Sequence, residues 1–143
     1  MPMLPDPAHT DIIDKACISA FEAEEPVGVF SLCENIMDDP KLPMHCPYHH
    51  YLIPAVLLTA ASKISGETEE MLQKRLKTAR ERAGTVPGGC CGQFGCCGAA
   101  VGAGIFACVW QGSTPLSKTG WAAGNEMTAR CLSAIASVEG PRC

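Results

Sequence analysis

The sequence predicts an all-α domain of about six helices. Apolar residues recur at three- and four-residue steps in successive stretches, the period of a helix face. No segment shows long β-type alternation, and prolines at 26, 40, 43, 47, 87 and 115 interrupt the periodic stretches. The 143 residues suit a single domain with a real core. Apolar residues make up 47% and charged ones 18%, a globular balance rather than a disordered one. Aromatics are only 6%, so core volume must come from Ala, Val, Leu, Ile, Met and Cys.

The first helix begins at Asp6-Pro7, an acidic cap followed by proline in the first turn, with Thr10 as a second possible cap. Its apolar face is Ile12, Ile13, Ala16, Cys17, Ala20 and Phe21, and Cys17 on that face reads as a small buried hydrophobe. A second helix runs through Val29, Phe30, Leu32, Cys33, Ile36 and Met37 to Asp38-Asp39-Pro40. Residues 41–47 form a proline-bearing loop, and His9 and His45, both in proline-rich segments, are expected to be exposed. The third helix starts near His49 or His50, which leaves Pro54 close to the first turn, where a missing N–H costs nothing. Residues 67–83 carry a narrow stripe of Leu72, Leu76, Ala79 and Ala83, with Glu at the start and Arg80 and Arg82 at the end, and read as a solvated surface helix. After a glycine–cysteine loop comes Ala-Ala-Val-Gly-Ala-Gly-Ile-Phe-Ala-Cys-Val-Trp. Its small residues recur four apart (Gly98–Gly102, Ala99–Ala103, Ala100–Gly104), which predicts a buried central helix that neighbours approach closely. A loop over 112–119 leads to the last helix, Trp121 to Val138, with Ala122, Met127, Cys131, Ile135 and Val138 as its apolar residues.

The loop before the central helix concentrates the chemistry. Four of the ten cysteines fall within eight positions, as Cys90–Cys91 and Cys96–Cys97, among glycines that permit tight turns. Cys91 and Cys97 bracket five residues, and Cys97 lies near a helix start, where the dipole favours the thiolate. Two loop thiolates with a histidine from another helix suit zinc or an iron–sulfur centre. His49 and His50 stand at a helix N-terminus, which favours neutral, metal-ligating imidazole. As sequence neighbours they diverge by about 100° around the axis, so only one can face a given centre. Cys108 is eleven residues beyond Cys97, about 16 Å along a helix, and is expected in the core.

The blocks Pro47-Tyr-His-His-Tyr-Leu-Ile-Pro-Ala-Val-Leu-Leu-Thr-Ala, Pro87-Gly-Gly-Cys-Cys-Gly-Gln-Phe-Gly-Cys-Cys-Gly-Ala-Ala-Val-Gly-Ala-Gly-Ile and Gly140-Pro-Arg-Cys resemble an uncharacterised cysteine-rich domain family. That family occurs in anaerobic archaea and bacteria, beside or fused to methyltransferase or radical-SAM proteins. It is distantly similar to the family proposed to be redox-active for its C-GC-A-x-x-G-C-C pattern. The resemblance covers roughly residues 40 to 143 and implies a site of His49, His50, Cys91, Cys97 and Cys143. It implies that Cys90 and Cys96 are accessory neighbours, and that a methyltransferase or radical-SAM protein is the partner.

The remaining totals exclude function classes. A net charge of −4 with no basic cluster argues against nucleic acid as the main partner. The most apolar stretch, residues 96–110, is shorter than the roughly 20 residues a membrane span needs, and the N-terminus lacks a secretory pattern. The expected compartment is the cytoplasm, where clustered cysteines bind metal or do redox work more often than they staple a fold. Three functions follow in order. The first is an iron–sulfur or zinc protein with a redox, sulfur- or electron-transfer role. The second is a metal-free thiol redox protein cycling Cys91 and Cys97, and the third is a helical interaction domain with structural cysteines. A nucleophilic Cys97 with a histidine base has no third orienting residue in view beyond Asn125, a residue more often found at a surface.

Overall fold

Residues 4–138 and 140 are described by the computed structural model. Among them the chain forms seven helices and no strand: α1 (Pro7–Glu22), α2 (Val29–Met37), α3 (His49–Ile64), α4 (Glu69–Ala83), α5 (Cys90–Phe94), α6 (Gly98–Trp110) and α7 (Trp121–Ala136). Six match the sequence expectation, and the seventh, the five-residue α5, folds inside the glycine–cysteine loop. No helix of the described residues is long and apolar enough to cross a membrane.

The expected central helix, α6, shares that role with α3. Helix α3 packs against α1, α2, α4 and α6, and ten of its sixteen residues are buried. Its sequence explains this: from Tyr51 to Ala61 every residue is apolar except Thr59, and Thr59 returns its hydroxyl to the Ala55 carbonyl at 2.7 Å. A helix that is apolar all round must be covered all round. The core it organises joins Ile13 and Cys17 of α1, Leu32 and Ile36 of α2, Leu72, Leu76 and Ala79 of α4, and Ile105 and Val109 of α6. Cys17 is the buried hydrophobe expected, its thiol pushed up to about 12 by burial.

The caps are partly legible and partly not. Asp6 accepts from the Ala8 amide at 2.8 Å with Pro7 behind it, as the sequence predicts for α1. The other end of α1 is closed from a distance: the Lys63 ammonium of α3 donates to the carbonyls of Ala20, Ala23 and Glu25. Cations at a helix C-terminus satisfy carbonyls that lack helical donors. His9, expected to be exposed, is half-buried, because the first turn of α1 packs on the loop before α3. Its Nδ1 lies 3.6 Å from Cys46 Sγ, and its ring meets Tyr48 edge-on at 6.0 Å.

The arginines of α4 do not form a solvated face. Arg75 grips Glu67 with two contacts (2.8 and 3.0 Å), donates to the Val109 and Trp110 carbonyls that end α6, and lies 4.4 Å over the Trp110 ring. Arg80 reaches Asp11 and Asp14 of α1 at 2.8 and 2.7 Å, and Asp14 also accepts from the buried Tyr51 hydroxyl. Only the lysine side of α4 behaves as a solvent-facing row, with Lys74 paired to Glu70 one turn away. Long side chains that lie over neighbouring helices are invisible to a count of apolar positions.

α6 is covered on one side by α3 and α4 and on the other by α7, and α7 packs on α6. Gly104 and Gly124 mark that crossing. A Cβ on Gly104 would fall 3.2 Å from the Gly124 carbonyl oxygen, and one on Gly124 would fall 2.6 Å from Cys108 Sγ. Cys108 is therefore half-buried at this crossing and not in the core as expected. The buried side of α7 also differs from the expected register: Gly124 and Thr128 face α6, whereas Ala122, Ile135 and Val138 are exposed.

Candidate functional site

The thiol loop is built from two left-handed glycines with one helical turn between them. Gly89 has φ 84° and Gly95 has φ 66°, conformations in which a side chain would be strained. Between them α5 buries Cys90 and leaves Cys91 exposed. Cys97 follows in an extended conformation as the residue capping α6, half-buried, as is Cys96.

Cys91 and Cys97 open onto one cleft of about 440 Å³. Gly95 also lines it, and so do the last turns of α7 through Leu132, Ser133, Ile135 and Ala136. Burial first, and then the neighbouring Cys91, Cys96 and Cys97, push the Cys90 thiol above its ordinary range, while its contact with the Cys91 backbone works the other way. All nine described cysteines are free thiols. Among the described residues no three His, Cys, Asp or Glu side chains are already arranged to hold a metal ion. Cys143, the fifth residue implied by the resemblance, lies outside the described residues.

The two histidines part company as their spacing requires. His50 is 7% exposed and fastens the thiol loop at both ends. Its Nδ1 lies 3.2 Å from the Val86 carbonyl, which accepts the Nδ1 proton just before the loop. The far edge of the ring lies against Gly98 just after it, where a Cβ would overlap Nε2 and Cδ2 at 2.1 Å. With the proton on Nδ1, Nε2 keeps its lone pair. His49 instead packs its ring 4.2 Å from Tyr48, and its buried Nε2 has no hydrogen-bond partner among the described residues. Burial lowers both pKa values; for His49 the nearby His50 and His45 add to this, and for His50 the Val86 contact opposes it. Both imidazoles are therefore held towards the neutral form.

Two features had no sequence signal. The Cys46–His9 pair spans 37 positions and joins segments with no shared motif. A second, larger cavity of about 820 Å³ lies between α6, the 111–120 loop and α7. It depends on how α7 crosses α6, and spacing alone does not set that crossing.

Fold and loop together define an all-α domain presenting a paired-thiol cleft. Residues 13–143 match a family of unknown function (DUF5714), and the chain belongs to that family. No curated protein and no solved structure matches it.

Proposed function

We propose that this chain is a cysteine-based metal or iron–sulfur protein in which Cys91, Cys97 and Cys143 supply thiolates from one cleft. The observation that carries this is the shared cleft itself: two thiols six positions apart face the helix end from which the tail departs. Cys143 follows Val138, just past the cleft-wall helix, by five residues (143 − 138), a contour of at most about 17 Å, which is the reach for returning its thiol there. His50, the imidazole placed against the loop, is the candidate fourth ligand, and His49, the residue before it in α3, the alternative. Thiolate–imidazole donor sets suit zinc and iron–sulfur clusters. A cluster held there would supply one-electron transfer, while zinc would hold the loop or polarise a bound group. The resemblance to cysteine-rich domains found beside methyltransferase and radical-SAM proteins supports a partner of that kind, served with electrons or sulfur.

A second reading rests on Cys91 and Cys97 being free thiols that open onto one cleft. Here Cys91 and Cys97 act without metal: the two thiols lose two protons and join as a disulfide. Their two electrons reduce a small disulfide oxidant to two thiols.

One preparation separates the readings. Anaerobically purified protein is assayed for metal and visible absorbance before and after reconstitution with iron and sulfide or with zinc. The Cys91→Ser, Cys97→Ser and Cys143→Ser variants are run in parallel. Bound metal or cluster in the parent, lost in the variants, supports the first reading; none after reconstitution eliminates it. A two-electron midpoint between about −200 and −300 mV in a thiol buffer then supports the second. Variants that alter only the melting temperature would leave a helical interaction domain with structural cysteines.

A further inference from the structure

We infer that the cavity between α6 and α7 is a binding site for a small molecule with an apolar body and a single carboxylate, recognised by Arg82. This does not rest on thiol chemistry at Cys91 and Cys97. At about 820 Å³ the cavity is within the size range of small-molecule sites. Val101, Ile105 and Leu132 make its walls apolar, and Trp121, 75% exposed, stands at its rim. Among the described lining residues, Arg82 is the one with a charged side chain.

That arginine differs from its neighbours on α4. Arg75 is paired with Glu67, and Arg80 with Asp11 and Asp14. Arg82 is half-buried and, among the described residues, has no carboxylate within ion-pair distance. Among the described residues its side chain makes one hydrogen bond, from Nη2 to the Ser113 carbonyl at 2.9 Å. A guanidinium offers five donors, and a charge beside apolar walls is costly unless it meets an opposite one. A carboxylate presents two oxygens to that planar fork and makes the strong, charge-assisted pair. The start of α7 adds positive potential on the same side, because its first turn holds no acidic residue and no side-chain cap. Leu132 lines both this cavity and the thiol cleft, so a ligand here would lie one side chain from Cys91 and Cys97.

The test titrates the full chain with 2-naphthoate and its uncharged near-isostere 2-naphthamide, by calorimetry and by methyl and indole NMR shifts. The parent should prefer the carboxylate by about tenfold or more, the scale of one charged hydrogen-bonded contact. Shifts should centre on Val101, Ile105 and the Trp121 indole. Arg82→Met should bring naphthoate down to the naphthamide level without weakening naphthamide, Arg82→Lys should restore part of the preference, and Ala129→Trp should weaken both ligands. Equal affinities in the parent, shifts centred elsewhere, or no naphthoate binding at millimolar concentration would each overturn the inference. So would a carboxylate preference that survives in folded Arg82→Met; should that variant not fold, the parent and Arg82→Lys titrations still decide.

Discussion

Gly102 shows how much one missing side chain decides here. Pro54 has no N–H, so the His50 carbonyl four residues earlier in α3 has no helical donor. α6 covers that gap with Gly102: a Cβ there would come within 2.7 Å of the His50 carbonyl oxygen and 2.9 Å of Pro54 Cδ. The first of these is backbone, and it cannot swing aside. Gly102→Ala should therefore destabilise the protein by about 1–3 kcal/mol, the range for overpacking, despite alanine's better helix propensity. Gly92→Ala is the control, because a Cβ at Gly92 meets nothing within 4 Å. Urea denaturation midpoints compare the two; an unshifted Gly102→Ala would show that α3 and α6 are not in such contact. The spacing of Gly98 and Gly102 predicts a close approach, and the structure bears it out. What spacing could not name is the partner, because the His50 ring and carbonyl come from 48 and 52 positions away (98 − 50 and 102 − 50).

The loop between α4 and α6 is held by α3, through the single imidazole of His50 that touches Val86 before it and Gly98 after it. Burial makes that imidazole resist protonation, and His49 beside it shares the trait. Between the lowered folded pKa and the ordinary value near 6.5, the unfolded chain binds more protons than the native one, so stability rises with pH across that window. It should be fully present above about pH 6.5 and fall as pH drops towards 5, ahead of most carboxylate titration. Thermal midpoints across this range should show the slope, and His50→Gln should flatten it at some cost in overall stability. A profile unchanged in that variant would mean that His50 does not carry the effect. Long periodic elements such as α1 and α4 are legible because many positions vote for one period. α5 is not, being one turn of Cys-Cys-Gly-Gln-Phe set by two left-handed glycines rather than by a repeat. The register of α7 also escapes the pattern, because its contact is made by Gly124 and Thr128, which an apolar count passes over.

Across the whole molecule, stability is distributed unevenly around α3. Four helices pack on α3, whereas α7 packs on α6 and buries only Gly124 fully. The site follows that unevenness: the thiol cleft and the larger cavity both have α7 as a wall, so a helix held chiefly through one neighbour, α6, borders both. The sequence pointed to the thiol half of this arrangement through clustered Cys and Gly. It gave no sign of the α7 half, which depends on a helix crossing rather than on any local pattern. Local opening should begin where buried contacts are fewest. Hydrogen exchange read by mass spectrometry should show α7 amides exchanging well before those of α3, by opening at a free energy below that of global unfolding. The interior amides of α6 should follow α3, because its other side stays packed on α3 and α4. Whatever occupies either cavity must contact α7, so occupancy should slow exchange there and leave α1 and α2 unchanged. Uniform protection of α3 and α7 would instead mean that α7 belongs to the same cooperative unit as the core, with both cavities built into its fixed framework.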